Sequence, residues 1–116
     1  MGVYSDSSKQ YLQELIRLQK YNAIAIGVQS LTVAGTAVAL TVPTNARYAL
    51  VVVESSISTP AIRYLELGPA TLPTASVGIP RSNLDAFDIF GYENLINFRA
   101  IQVGAGTHSI TVQYYK

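Results

Sequence analysis

The residue with the widest chemical repertoire in this sequence is His108, and it is the only histidine. An imidazole can act as a general base or bind a metal, but either role needs carboxylates or further ligands in fixed relation to it. No Asp or Glu stands at a ligand spacing from His108, which follows Gly106-Thr107 at the expected start of the last strand. It reads as an exposed or hydrogen-bonded turn histidine. Asp85 and Asp88 are three positions apart and Glu93 follows five later, a grouping that could suggest calcium or paired-carboxylate chemistry. The spacing departs from an EF-hand loop, and Phe87, Ile89 and Phe90 intervene at strand-like positions. These acids read as solvated turn and strand-edge charges, while Glu54 and Glu66 flank strands without a partner in sequence. Catalysis would return to consideration if His108, Asp85 and Asp88 converged in one cleft.

Other nucleophiles and phosphate-binding patterns are missing. The chain has no cysteine, so disulfides, thiolate metal sites and cysteine nucleophiles are excluded together. No serine lies in a G-x-S-x-G elbow. Gly104-Ala105-Gly106 lacks the third glycine and the following helix of a dinucleotide fingerprint, and reads as a turn. The expectation is a protein that is not an enzyme, with no catalytic residue, no metal and no cofactor. Tyrosine is the abundant functional side chain, with eight against three phenylalanines and no tryptophan. Its large apolar face and hydroxyl suit core edges, protein interfaces and sugar-binding surfaces.

Hydrophobic residues make up 49% of the chain and charged residues 13%, against about 25% charged in ordinary soluble domains. Such a surface is covered by Ser, Thr, Asn and Gln or by other subunits, which points to a homo-oligomer or a lattice-bound protein. A net charge of +1, with Arg47, Arg63, Arg81 and Arg99 scattered singly, offers no track for nucleic acid. No apolar run reaches the ~18 residues of a membrane span. The polar stretch Met1 to Lys9 lacks a signal-peptide apolar core, so a cytoplasmic site of synthesis is expected.

Two regions, 1–22 and 23–116, differ in character. Ser7-Ser8-Lys9-Gln10 fits a capping box and predicts a helix from Ser7 to about Tyr21. Asp6 at its start and Arg17 and Lys20 near its end suit the helix dipole. Tyr11, Leu12, Leu15, Ile16 and Leu18 form one apolar stripe. That stripe packs either on its own β domain or against another chain, and these five residues are the candidate oligomer or capsid interface. Tyr11, Leu15, Leu18 and Asn22 step in heptad fashion, over too short a run for a coiled coil.

From Ile24 onward the pattern becomes β. Seven runs are predicted as strands, at 28–33, 37–42, 48–54, 61–67, 86–90, 97–103 and 109–115. Val38, Leu40 and Val42 face one way, with Ala37, Ala39 and Thr41 opposite. Ala49 to Val53 is apolar on both faces, as a central buried strand would be. Ala34-Gly35-Thr36 is suited to a hairpin, and Pro43-Thr44-Asn45 to a turn. Gly68 to Asn83 is the longest loop, with a short strand near Val77. The expected fold is mainly β: a single sandwich, jelly-roll-like, or a small barrel of seven or eight strands preceded by one amphipathic helix.

The β region also resembles small virion structural proteins of tailed bacteriophages. The resemblance runs through Gln29-Ser-Leu-Thr-Val, Ala37-Val-Ala-Leu-Thr-Val-Pro, Ala46-Arg-Tyr-Ala-Leu-Val-Val-Val-Glu and Ile62-Arg-Tyr. It continues in Pro73-Thr-Ala-Ser-Val-Gly, in 95–101, and in Ile110-Thr-Val-Gln-Tyr-Tyr. It covers about three quarters of the chain, excludes the helix and carries no diagnostic site. It implies a β-sandwich on the capsid surface of the virion, a cement or decoration protein, often trimeric, that binds the major capsid protein. Head fibres or spikes that bind host glycans are the alternative, with Tyr64 or Tyr92 at an exposed tip. A head–tail connector or other tail component is a further one.

Overall fold

A computed structural model describes residues 23–57 and 60–116, together with the single position Gln13. The helix expected over Ser7 to Tyr21 lies outside the described residues, apart from that one position. Eight strands form: β1 (Ala25–Thr32), β2 (Val38–Ala39), β3 (Tyr48–Ser55), β4 (Ile62–Leu65), β5 (Ile79–Arg81), β6 (Ala86–Phe90), β7 (Arg99–Gln102) and β8 (His108–Tyr115). They make two antiparallel four-stranded sheets, ordered β1-β8-β3-β6 and β2-β7-β4-β5. The barrel alternative is thereby corrected: the described strands form two separate sheets, not one closed cylinder.

Side-chain alternation builds the core between the sheets. Ala49, Val51 and Val53 of β3 point inward and are fully buried, as are Ile110 and Val112 of β8. The second sheet contributes Ile62, Tyr64 and Ala100 to the same cluster. Tyr64 stacks on Phe87 of the opposite sheet at 4.5 Å between ring centroids, and Phe98 lies 5.4 Å from Tyr64. Val38, Leu40 and Val42 pack against this core as their alternation predicts. β3 is a central strand, paired along both edges by β6 and β8, and its second apolar face, Leu50 and Val52, is half-buried.

Edge strands obey their own constraint. Pro80 lacks an N–H and sits in β5, which has a neighbour on one side only. Ala34-Gly35-Thr36 makes no hairpin, because β1 and β2 belong to different sheets and the link carries the chain between them. The expected strand near Val77 forms two residues later, at Ile79–Arg81. Two short elements were unforeseen, the helix α1 (Tyr92–Asn97), entered through Gly91 at φ +95°, and a 3-10 turn at Gly68–Ala70. Leu95 of α1 is fully buried and its first-turn Tyr92 is exposed.

The residues around the candidate binding groove

His108 is the first residue of β8 and is buried, not exposed. Its Nε2 lies 2.9 Å from the Gly104 carbonyl oxygen, which can only accept, so Nε2 carries the proton. Its Nδ1 then accepts from the Ser55 hydroxyl at 2.8 Å. The Ser55 oxygen accepts in turn from Ile57 N–H at 3.1 Å. This chain ties the end of β3 to the turn before β8. The Asp85 carboxylate is bound elsewhere, accepting from Ser82 N–H at 2.7 Å. Asp88 lies on the outer face of β6, paired across from Leu50, and Glu93 is exposed on α1. Neither aspartate is bonded to the imidazole. Among the described residues no three His, Asp or Glu side chains cluster as metal ligands.

Among the described residues, two groups have shifted acidities. Burial pushes the Tyr114 phenol up to about 12. Its hydroxyl donates to Gln29 Oε1 at 2.6 Å, and the same oxygen accepts from Thr41 N–H at 3.0 Å. Burial also raises the Glu66 carboxyl above its ordinary value. A further polar group stands out at the edge of the core. Arg81 lays its guanidinium over Phe87 and Tyr64, 4.7 and 5.8 Å from the ring centroids. Its Nε is buried with no hydrogen-bond partner among the described residues.

The tyrosines divide sharply. Tyr64, expected as an exposed recognition residue, is 5% exposed because it is the centre of the aromatic core. Tyr92 is 45% exposed. An aromatic row crosses the outer face of the first sheet, where register places Tyr115 and Phe90 on either side of Tyr48. Tyr48 stacks on Tyr115 at 4.6 Å and lies 5.5 Å from Phe90. Just beyond that row the same three strands end, and there a groove of about 730 Å³ opens.

Ile24, Thr44, Asn45, Arg47, Tyr92 and Lys116 line this groove, over Ala46. Its frame is fixed by main-chain hydrogen bonds. Ile24 and Lys116 exchange two, at 3.0 and 2.9 Å. Arg47 N–H donates to Tyr115 O at 2.7 Å, and Gly91 N–H to Arg47 O at 2.6 Å. The expected turn at Pro43-Thr44-Asn45 closes through Ala46 N–H to Pro43 O at 3.2 Å, with Asn45 at φ +71°. Asn tolerates that left-handed conformation better than most residues. Among the described residues, no side-chain hydrogen bond or ion pair engages Asn45, Arg47 or Lys116.

Sequence reasoning singled out Tyr92 but missed the neighbours that make it part of a site. Thr44 and Asn45 were visible only as a turn, and nothing in spacing joins Tyr92 to Lys116; strand pairing does. The interface stripe Tyr11, Leu12, Leu15, Ile16 and Leu18 lies outside the described residues. No helix among the described residues is long and apolar enough to cross a membrane. No family model, no curated protein and no solved structure matches the chain.

Proposed function

We propose that the chain is a non-enzymatic structural protein of a tailed-bacteriophage particle, a cement or decoration subunit that bridges capsid subunits. The observation that carries this reading is the strand order β1-β8-β3-β6 facing β2-β7-β4-β5. It is the order of a jelly roll, an architecture used by viral capsid and lectin domains. Folds host many functions, and the likeness here is one of fold. Composition supports it: a charged fraction of 13% suits a protein held against others. Exposed Val28, Leu67, Val77 and Leu84 offer apolar contact surface. A cement subunit gains avidity by spanning neighbours, with each contact weak and the sum strong.

The protein is expected to be a trimer, made in the host cytoplasm and resident on the capsid surface. Its partners are its own copies and the major capsid protein, with no role for nucleic acid or membrane. Co-sedimentation of the full chain with purified shells tests the assignment. Binding is expected, together with a trimer in analytical ultracentrifugation. The variant Leu15→Asp should bind less if the amphipathic stripe docks on the shell. Unchanged binding of that variant removes the stripe from the interface, and failure of the native chain to bind removes the cement reading.

A second reading is recognition of host-surface glycans by a head fibre or spike. The specific observation favouring it is the groove, with exposed Tyr92 beside Asn45 and Thr44. Aromatic faces and amide side chains together recognise sugar rings and their hydroxyls.

A further inference from the structure

We infer that the groove at the end of the first sheet is a site for a carboxylate-bearing saccharide, an inference that rests on the glycan-recognition reading. Three properties converge. The groove is an open surface feature of about 730 Å³, within the roughly 300–1,000 Å³ usual for small-ligand sites. A saccharide tolerates such a site, because hydroxyls left at the opening keep their water. Tyr92 supplies an aromatic face at 45% exposure on one wall. Asn45 and Thr44 supply donors and acceptors from a turn whose backbone is closed at 3.2 Å.

The charge then narrows the ligand. Arg47 and Lys116 both line the groove, and among the described residues no Asp or Glu side chain does. Glu93, the acidic residue next to Tyr92 in sequence, is not part of the lining. Neither cation has an ion-pair partner among the described residues. Arg47 also has its main-chain N–H and C=O bonded to Tyr115 and Gly91, so the side chain is the free part of a rigid residue. A guanidinium is a planar fork that fits a carboxylate through two parallel hydrogen bonds. Two unpaired cations beside an aromatic wall and an amide therefore select an acidic sugar over a neutral one.

The test is a ¹⁵N chemical-shift titration of the full chain with trigalacturonic acid and with its neutral counterpart, galactotriose. Saturable shifts confined to the groove, around Arg47, Tyr92 and Lys116, are expected with the acid and weaker ones with the neutral sugar. Arg47→Gln should weaken binding of the acid about tenfold, the usual cost of a charge-assisted hydrogen bond, and leave galactotriose unaffected. Lys116→Gln is the second variant. Arg47 and Lys116 are exposed, and unchanged spectral dispersion will show that both variants stay folded. Equal binding of the two sugars, indifferent to Arg47→Gln, overturns the acidic assignment and leaves saccharide recognition standing. No shift with either sugar overturns both. Equally tight binding of a single-stranded oligonucleotide overturns the saccharide assignment, because it reduces the groove to a plain anion site.

Discussion

Replacing His108 by alanine should cost the protein about 3–4 kcal/mol of stability. The estimate follows from what the ring does. It is 1% exposed and makes two hydrogen bonds, at 2.8 Å to Ser55 and 2.9 Å to Gly104. Each contributes a net ~1 kcal/mol, and truncation strands the half-buried Ser55 hydroxyl and Gly104 carbonyl. The void left by the imidazole adds roughly 1–2 kcal/mol. Against a total stability of about 5–15 kcal/mol, this is a large fraction. At about 4 °C per kcal/mol for a domain of this size, Tm should fall by about 12–16 °C. Urea denaturation and calorimetry measure both quantities. A double-mutant cycle with Ser55→Ala should give a coupling energy of about 1 kcal/mol or more, because the two side chains share one bond. His108→Gln, whose amide nitrogen can reach the Gly104 carbonyl as Nε2 does, should recover part of the loss. A His108→Ala variant within 1 kcal/mol of the native chain, or strict additivity in the cycle, would refute the view of this histidine as the lock between β3 and β8.

Three further outcomes are expected. The folded Tyr114 phenol ionises at about 12 against about 10 unfolded, so its contribution is complete below pH 10 and is lost as pH rises towards 12. The difference in stability between native and Tyr114→Phe proteins should shift by roughly 1–2 kcal/mol across that window, after allowance for solvent screening; a flat difference in urea titrations excludes the linkage. The Glu66 carboxyl is raised by burial, so its stabilising protonated form prevails at low pH and is lost as pH rises through its folded value. Glu66→Gln should therefore gain stability relative to the native chain between acidic and neutral pH, and a gain independent of pH argues against burial as the cause. Leu84 holds φ +69° at 72% exposure, a conformation that strains a branched side chain and suits Asn. Leu84→Asn should raise stability by about 0.5–1 kcal/mol in thermal melts, and a loss would show that the leucine makes a stabilising contact.

The strand content was legible because alternation is a local property. Val38, Leu40 and Val42 show it, and the two-faced apolar run Ala49 to Val53 identifies a central strand. Alternation says which way a side chain faces and is silent about which strand lies beside it. For that reason Ala34-Gly35-Thr36 looked like a hairpin and is a passage between sheets. Helix α1 escaped notice because six residues carry too little of a 3.6-residue period, and its start has no side-chain cap. Tyr64 and Tyr92 are the same residue type in similarly polar surroundings. Only the stacking of Tyr64 on Phe87 separates a core ring from an exposed one. The groove was illegible for the deepest reason, since its lining comes from residues 24, 44–47, 92 and 116, brought together by pairing alone.

The order in which strands pair also dictates how this protein can come into being. Counting from the two ends inward, β1 pairs with β8, β2 with β7, β3 with β6 and β4 with β5. The innermost pair closes the shortest stretch of chain and the outermost the longest, so loop-closure cost grows outward from β4 and β5. β8 follows the other seven described strands in the chain, yet it sits between β1 and β3. A chain that lacks β8 therefore holds a split first sheet, with the inward faces of Val51, Val53 and Leu31 open to solvent. Removing β8 deletes an internal strand, so a ladder of truncations through β8 should show solubility collapsing abruptly once Tyr114 and Val112 are lost.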